Sequence, residues 1–134
     1  MNADTRGLNT DSSISQLTER VIGCAYNVSN ELGCGFLEKV YENALAIELR
    51  NAGLDVAQQY PIKVMYRQAV VGEYVADLLI ERRLVVEIKA VKGIDQVHVA
   101  QCINYLRATN HQIGLLLNFG KPKLEIKRLV HNLK

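Results

Sequence analysis

The sequence lacks the features that mark membrane proteins, secreted proteins and zinc ribbons. No run approaches the roughly 18 consecutive apolar residues of a membrane span, and the N-terminal segment MNADTRGLNTDSS has no signal-peptide apolar stretch. The 3 cysteines are widely spaced and form no C-x-x-C pair, which argues against a disulfide framework and a zinc site. We therefore expect a cytoplasmic protein with a flexible leader and reduced, mostly buried thiols.

Several common functional motifs are also missing. The chain has no glycine-rich phosphate loop, no Ser-His-Asp arrangement and no base-reading helix, so an NTPase, a serine hydrolase and a helix-turn-helix regulator have little support. It has no internal repeat or low-complexity tract, and its 134 residues suffice for one domain with a single core. We divide it into a leader, residues 1–13, and one domain, residues 14–134.

The net charge of +2 is unevenly distributed along the chain. Residues 1–81 contain 6 Lys or Arg against 11 Asp or Glu, whereas residues 82–134 contain 10 against 3. A basic half suits a polyanionic partner such as nucleic acid, although the two halves could equally pair with each other. The basic residues that could meet a phosphate backbone are Arg82, Arg83, Lys92, Arg107, Lys121, Lys123, Lys127 and Arg128.

Hydrophobic periodicity predicts two helices at the start of the domain. Apolar residues recur every three or four positions from Ile14 to Leu32, after a capping box that begins at Ser13. A second helix should end at Gly53, since glycine commonly terminates helices. The apolar stripe expected along this second helix comprises Leu37, Val40, Ala44 and Ile47.

The remaining segments predict strands with one more helix. The runs VAQQYPIKVMY, AVVGEYVADLLI and RLVVEIKAV are joined by short connections, which indicates an antiparallel meander. Asp95 resembles the N-cap of a helix that reaches about Thr109. QIGLLLNF predicts a buried strand and KLEIKRLV a last, edge-like strand. The predicted element order is therefore ααβββαββ.

The run DLLIERRLVVEIKAV carries charges on strands that are otherwise apolar on both faces. Side chains alternate along a strand, so Glu87 and Lys89 share one face. Asp77 is a lone acid on the preceding strand, where Ala76 and Leu78 should share the opposite face. The short hairpin brings Asp77 and Glu87 near each other on paired strands. Because burying a carboxylate costs several kcal/mol unless it is compensated, something must compensate this pair.

A divalent cation would compensate the two acids. Two close carboxylates raise each other's pKa unless a cation intervenes, and Mg²⁺ accepts one or two carboxylates together with waters and phosphate oxygens. Lys89 could orient or deprotonate an attacking water, or neutralise charge on phosphoryl oxygens. The structural alternative is a partly solvated ion pair of Glu87 and Lys89 at the end of the strand.

Asp77 together with Glu87-Ile88-Lys89 resembles the D…(D/E)-x-K core of the PD-(D/E)XK nuclease superfamily. The segment GFLEKVY, from Gly35 to Tyr41, resembles the signature of the bacterial GxxExxY family within that superfamily. The likeness runs from about residue 14 to the end of the chain, with Ala76 in place of the superfamily's proline. It implies an α/β fold with a central mixed sheet flanked by helices.

The resemblance also implies roles for residues on two helices. Glu38 would supply a third acid to the metal site, with Glu42 as the fallback, whereas a first-turn Glu favoured by the helix dipole is the structural explanation. The segment QCINY, from Gln101 to Tyr105, resembles the Q-x-x-x-Y motif of exonuclease-type members, in which the pair lies beside the active site and DNA. An ordinary polar helix flank is the alternative, and His98 is interpreted as a boundary histidine.

The expected function is that of a Mg²⁺- or Mn²⁺-dependent phosphodiester hydrolase acting on nucleic acid, with DNA as the expected substrate. The residues expected to act are the catalytic acids and metal ligands Asp77, Glu87 and Glu38, the catalytic Lys89, and the substrate-binding Gln101, Tyr105 and Lys92. The alternatives are a non-cleaving nucleic-acid-binding or protein-interaction module with the same fold, and hydrolysis of another phosphoester. No membrane partner is expected, and a symmetric homodimer would enlarge the surface for a duplex.

Overall fold

The computed structural model describes residues 3–111 and 113–131, with their side chains from residue 13 on. Its elements follow the predicted order ααβββαββ. The helices are α1 (Ala3–Leu32), α2 (Glu38–Asn51) and α3 (Gln96–Thr109). The strands are β1 (Val56–Tyr66), β2 (Ala69–Ile80), β3 (Leu84–Lys89), β4 (Ile113–Asn118) and β5 (Glu125–Val130). Across the described ranges, no helix combines the length and the hydrophobicity needed to cross a membrane.

The strands form one mixed sheet in the order β1-β2-β3-β4-β5. All neighbours are antiparallel except β3 and β4, which are parallel. A parallel pair needs a crossover connection, and α3 provides it between β3 and β4. The antiparallel meander, the edge position of β5 and the α/β class with a helix-flanked mixed sheet are therefore confirmed.

Helices cover both faces of the sheet. The larger core, between the sheet and the helices α1 and α2, includes Val21, Leu45, Leu84, Ile88 and Leu117. The smaller core, between the sheet and α3, includes Ile62, Val85, Cys102 and Leu106. Residues Leu84 to Ile88 of β3 are all buried, as expected for a strand that is apolar on both faces.

The predicted start of α1 is wrong. The helix begins at Ala3, and Ser13 lies inside it rather than at its N-cap. A capping sequence favours a helix start, but it does not prevent helical residues on its N-terminal side. Residues 1 and 2 of the predicted leader lie outside the described residues, and the division of the chain at residue 13 stays a prediction.

The stripe predicted for α2 is wrong in three of its four members. Leu37 and Ile47 are 81% and 59% exposed, and Val40 is also exposed. The residues that α2 buries are Tyr41, Glu42, Leu45, Ala46 and Leu49. The predicted stripe and the buried stripe both have helical spacing. The stripe with the larger side chains is the one that packs in the core. The helix ends at Asn51, two residues before Gly53, whose φ of +85° suits glycine.

The three cysteines differ in burial. All are free thiols, and Cys102 is buried, Cys24 partly buried and Cys34 exposed. The expectation of mostly buried thiols is therefore wrong for Cys34. Burial raises the pKa of Cys102 to about 12, so this thiol remains protonated and unreactive.

Candidate active site

Asp77 and Glu87 meet where the ladder between β2 and β3 stops. The two strands pair from Ile80 and Leu84 to Leu78 and Val86, and Asp77 and Glu87 are next in this register. At this point the carboxylates, rather than backbone carbonyls, accept hydrogen bonds from backbone N–H groups. The Asp77 N–H donates to Oε2 of Glu87 at 3.0 Å, and the Ile88 N–H donates to Oδ2 of Asp77 at 2.7 Å. These two bonds cross between the strands in opposite directions and fix one oxygen of each carboxylate.

The regular alternation of β2 is broken at Asp77. Leu78 and Ile80 pack in the core beneath α1 and α2, whereas Ala76 packs in the core beneath α3. The prediction that Ala76 and Leu78 share a face is therefore wrong. The pairing of β1 with β2 skips Gln59, which lies opposite Asp77 and has a φ of +53°. A positive φ is uncommon for residues other than glycine, and it marks the local distortion that redirects the chain.

Burial makes both acids costly to ionise. Glu87 is 7% exposed, and burial, followed by the charge of Asp77, raises the pKa of Glu87 to about 8. Burial also raises the pKa of Asp77, against the lowering effect of the hydrogen bond from the Ile88 N–H. A nearby positive charge would favour the ionised forms, so the pair is one that a cation would stabilise.

A recess of about 550 Å³ opens beside Asp77. This recess, the acidic cleft, is lined by Phe36, Leu37, Glu38, Lys39, Glu42, Gln59, Asp77 and Ala90. Three of these residues are acids and one is a cation. The cleft therefore joins the first turns of α2 to the point at which β1 and β2 are distorted.

Glu42 has its carboxylate fully engaged inside the acidic cleft. It accepts hydrogen bonds from Nζ of Lys39 at 3.0 Å, Nε2 of Gln58 at 2.8 Å and Nε2 of Gln59 at 2.9 Å. The Gln59 amide also lies 3.4 Å from Oδ1 of Asp77, so it separates two carboxylates. Neither glutamine is identified by the sequence-based site prediction, although two adjacent amides interrupt the apolar pattern of β1.

Glu38 is the exposed acid of the cleft. Its negative charge contributes to the raised pKa of both Asp77 and Glu87, which indicates that the three carboxylates lie near one another. Within residues 13–111 and 113–131, its carboxylate forms no hydrogen bond or ion pair. The carboxylate oxygens of Glu38 are therefore available for a ligand, whereas those of Glu42 already accept hydrogen bonds from protein donors.

Tyr41 fixes the turn that leads into α2. Its hydroxyl donates to the Gly33 carbonyl at 2.7 Å and accepts from the Phe36 N–H at 3.1 Å. Its ring stacks on Phe119 with the centroids 4.8 Å apart, and the side chain is fully buried. Tyr41 therefore holds the first turn of α2, and with it Glu38, against the sheet.

Lys89 is the last residue of β3 and lies on the same side of the strand as Glu87. Its charge opposes the rise in pKa of Glu87 and of Cys102, which belongs to α3. In the described part of the chain, the Lys89 ammonium forms no hydrogen bond or ion pair. The ion pair with Glu87 proposed as the structural alternative is therefore not found there.

Asn118 fixes the chain directly after Lys89. It is fully buried and pairs with Lys89 across the parallel strands. Its Oδ1 accepts from the N–H groups of Val91 at 3.0 Å and Gly120 at 2.9 Å, and its Nδ2 donates to the Val91 carbonyl and to Glu125, both at 3.0 Å. A Cβ at Gly120 would lie 2.4 Å from Val91 backbone atoms. The sequence-based site prediction misses Asn118, although an amide at the end of an apolar strand is a detectable signal.

Gln101 and Tyr105 lie in a second recess. This recess, the basic groove, has a volume of about 850 Å³ and lies between α3 and the hairpin of β1 and β2. Its described lining contains Lys63, Tyr74 and Arg107 but no Asp or Glu. The two residues of the Q-x-x-x-Y segment therefore line the basic groove rather than the acidic cleft.

Tyr105 links the basic groove to the carboxylate pair. Burial, followed by the charges of Glu87 and Asp77, raises the pKa of Tyr105 to about 12. The phenol therefore stays protonated and can donate a hydrogen bond at neutral pH. Tyr105 also packs in the core beneath α3 together with Ala76, the residue before Asp77.

Two other residues lie apart from both recesses. Lys92 is exposed in the connection between β3 and α3 and lines neither recess. His98 caps α3: its Nδ1 accepts from the Asp95 N–H at 3.2 Å, while Asp95 accepts from the N–H groups of Val97 and His98. The predicted N-cap at Asp95 is confirmed, and the capping bond gives His98 a structural role.

The chemistry of the carboxylate pair fits a divalent cation. Among the residues that the structure describes, no group of three or more His, Cys, Asp or Glu side chains is arranged to hold a metal ion. Mg²⁺ nevertheless commonly uses one or two carboxylates and completes its shell with water and phosphate. Asp77 and Glu87 supply such oxygen ligands, while Glu38 does not belong to a preformed set of three.

The comparisons with known proteins agree with this fold. A model of the PD-(D/E)XK nuclease superfamily matches residues 15–129. The crystal structure of SSO0001 is similar with a TM-score of 0.54 at 20% identity, which shows the fold alone. The similarity covers 90% of this chain and 60% of that one, so the chain spans less than two thirds of that protein.

No curated protein matches the chain. Membership of the narrower GxxExxY family stays a prediction. The superfamily match over residues 15–129 includes the Asp77 and Glu87 pair on β2 and β3 and the lysine that ends β3. The chain therefore belongs to the PD-(D/E)XK nuclease superfamily.

Proposed function

We propose that this protein is a nuclease that uses Mg²⁺ or Mn²⁺ to hydrolyse phosphodiester bonds in nucleic acid, with DNA as the expected substrate. The observation that carries the proposal is that backbone N–H groups of the facing strands fix one oxygen of each carboxylate, that of the buried Glu87 and that of the partly buried Asp77. Membership of a nuclease superfamily supports chemistry of this type. The basic half of the sequence favours a polyanionic substrate.

Asp77 and Glu87 would hold the cation, with Glu38 as the third acid. A divalent cation supplies a lowered pKa for bound water and neutralises charge on phosphoryl oxygens. The protein supplies preorganisation, because backbone N–H groups orient both carboxylates in the folded chain. Glu42 and Gln59 would support this arrangement through their hydrogen bonds in the acidic cleft.

Lys89 would act on the water or on the phosphoryl group. Its ammonium lies on the side of Glu87 and has no hydrogen-bond or ion-pair partner among the described side chains. It can therefore orient the attacking water or stabilise charge that develops on phosphoryl oxygens. Asn118 keeps this end of β3 in place through its four hydrogen bonds.

Substrate contacts would come from outside the carboxylate pair. Gln101 and Tyr105 would meet the substrate from the basic groove, and Lys92 would meet a phosphate from the connection before α3. We further propose DNA rather than RNA as the substrate, and a homodimer that would enlarge the binding surface.

A second candidate is a nucleic-acid-binding module that keeps the fold without cleaving. The observation that favours it is that Glu42, Asp77 and Glu87 all accept hydrogen bonds from protein donors, an arrangement that also suits a purely structural role. Its prediction differs clearly from that of the nuclease, since nucleic acid would bind equally well with or without the carboxylates.

A cleavage panel distinguishes the two candidates. Linear duplex DNA, single-stranded DNA, branched DNA and RNA are incubated with Mg²⁺, Mn²⁺ or EDTA and the wild type, Glu87→Ala or Lys89→Ala. Glu31→Ala is the control, because Glu31 is exposed on α1 and lines neither recess. We expect metal-dependent cleavage by wild type and control, reduced at least about 100-fold in the two site variants. A wild type that binds but never cuts, together with site variants that bind equally well, would establish the binding module instead.

A further inference from the structure

The basic groove combines an exposed aromatic ring with cations that have no acidic counterpart in its described lining. We propose that it binds a single-stranded segment of nucleic acid, with a base stacked on Tyr74 and phosphates on Lys63 and Arg107. As a statement about the substrate, this inference rests on the proposed nuclease function. As a statement about binding, it can be tested without cleavage.

Tyr74 is placed to stack against a base. The pairing of β2 with β3 covers only Leu78 to Ile80, so the earlier part of β2 extends with β1 as a two-stranded arm. Tyr74 lies on this arm and is 47% exposed. Its ring contacts the buried Tyr105 at 5.7 Å between centroids, which fixes the position of Tyr74 while leaving much of it accessible.

An exposed ring of this kind favours a single strand over a duplex. In a duplex, the faces of each base are covered by its neighbours in the stack, whereas unpaired bases can place a face on an aromatic side chain. Stacking of this type does not require a particular base. The expected ligand is therefore a single strand bound with little sequence preference.

The charges of the groove favour the phosphate backbone of such a strand. Lys63 lines the groove from β1, where it pairs in register with Glu73 of β2, and Arg107 lines it from α3. Neither side chain forms a hydrogen bond or an ion pair with any residue the structure describes. The amides of Gln101 and Asn104, also in the lining, can hydrogen-bond to bases or phosphates.

The groove is also connected to the proposed chemistry. Tyr105 belongs to its lining and packs in the core beneath α3 with Ala76, the residue before Asp77. A strand that passes from Tyr74 towards Tyr105 would therefore approach the carboxylate pair. The groove would accordingly hold the part of the strand that adjoins the cleaved phosphodiester.

Fluorescence anisotropy in EDTA tests the binding without cleavage. The ligands are a labelled 12-nucleotide oligothymidylate and a duplex of equal length, and the variants are Tyr74→Ala and Tyr74→Phe. Tyr66→Ala is the matched control, because Tyr66 is exposed on the same arm, contacts Arg67 and lies outside the groove. Thermal unfolding verifies that each variant folds.

We expect the wild type to prefer the single strand, and Tyr74→Ala to weaken its binding by roughly 5- to 150-fold. Tyr74→Phe, which keeps the ring, and Tyr66→Ala should stay within about 2-fold of the wild type. In Lys63→Ala and in Arg107→Ala, the slope of log affinity against log salt should decrease by about 0.7 each.

Three results would overturn the groove assignment: equal affinity for both ligands, no effect of Tyr74→Ala, or equal losses in Tyr74→Ala and Tyr66→Ala. The outcome is separable from that of the nuclease proposal. Metal-dependent duplex cleavage with unchanged strand binding by Tyr74→Ala would refute the groove and keep the nuclease. Loss of strand binding in Tyr74→Ala, in a protein that never cleaves, would keep the groove and refute the nuclease.

Discussion

The acidic cleft and the basic groove are built in part from the same two strands, yet they differ in charge and in how their charges are satisfied. β1 and β2 contribute Gln59 and Asp77 to the cleft, and Lys63 and Tyr74 to the groove. In the cleft, the partly buried Asp77 and the buried Glu42 accept hydrogen bonds from backbone and amide groups. In the groove, the cations have no such partners in the described part of the chain.

The distortion of β2 at Asp77 changes the side of the sheet on which the Asp77 side chain lies. It brings Asp77 to the side of the acids of α2, whereas Glu87 acts on Cys102 and Tyr105 of α3. Asp77 lines the acidic cleft, whereas Glu87 is in the lining of neither recess. Under the proposed function, the cleft would take a small, hard cation because its carboxylates are held in place, and the groove would take a flexible polyanion because its cations are exposed.

Among single substitutions, the greatest loss of stability is expected in the support behind Lys89. Asn118→Ala removes four hydrogen bonds of a buried amide, so the free energy of unfolding should decrease by about 3 kcal/mol. Cleavage should also fall in the folded variant, because the end of β3 loses its anchor, while strand binding in the groove should persist. Urea unfolding measures the stability, and Asn30→Ala on the exposed side of α1 is the control. A variant as stable as the wild type would show that other contacts hold this turn.

A second prediction concerns the pH dependence of the metal-free protein. The pKa of Glu87 is raised by burial to about 8 in the folded state, so the folded state binds this proton more tightly than the unfolded state. The resulting stability is fully present below about pH 4.5, the ordinary pKa of Glu, and is lost as the pH rises towards 8. In EDTA, the free energy of unfolding should therefore decline over this window, by no more than about 1.4 kcal/mol per pH unit.

Glu87→Gln is the control for that decline, because its amide oxygen can still accept from the Asp77 N–H while the group no longer titrates. The variant should show a flatter profile in the same urea experiments. Mg²⁺ should stabilise the wild type more at pH 8 than at pH 5.5, since the ionised pair binds it. An equally steep profile in Glu87→Gln would assign the decline to other groups.

The smallest expected effect distinguishes the two acids of α2. Glu38 is exposed and unengaged by the described residues, whereas Glu42 is 3% exposed and bonded to three donors. Glu38→Gln should lower Mn²⁺ affinity by about 10-fold, whereas Glu48→Gln, near the other end of the same helix, should leave it unchanged. Calorimetric titration gives both values. A larger loss of affinity in Glu42→Gln than in Glu38→Gln would reverse the roles assigned to them.

Local sequence patterns were sufficient to predict the order of the helices and strands and to identify Asp77 and Glu87 as candidate site residues. The period of apolar residues predicts all eight elements in order, and the capping preference of Asp95 predicts the start of α3. Asp77 and Glu87 could be identified because each is a charge on an apolar strand, and a short hairpin aligns them whatever surrounds it.

The remaining features depend on contacts that no local pattern contains. α2 has two stripes of helical spacing, and only packing against the sheet selects the one with Tyr41 and Leu49. The face change of β2 depends on the distortion at Gln59 of the neighbouring strand. Asn118 gains its role from a turn of the chain 27 residues away. Such long-range partners become visible only in the folded structure.

The proposed chemistry requires Asp77 and Glu87 to hold a divalent cation together. The most direct test is a calorimetric titration of Mn²⁺ into the wild type, Asp77→Asn and Glu48→Gln at pH 8, followed by competition with Mg²⁺. Saturable Mn²⁺ binding that Mg²⁺ displaces is expected in the wild type and in Glu48→Gln, with the affinity weakened at least about 10-fold in Asp77→Asn. A wild type that binds no Mn²⁺, or an Asp77→Asn variant that binds it equally well, would show that this pair holds no cation.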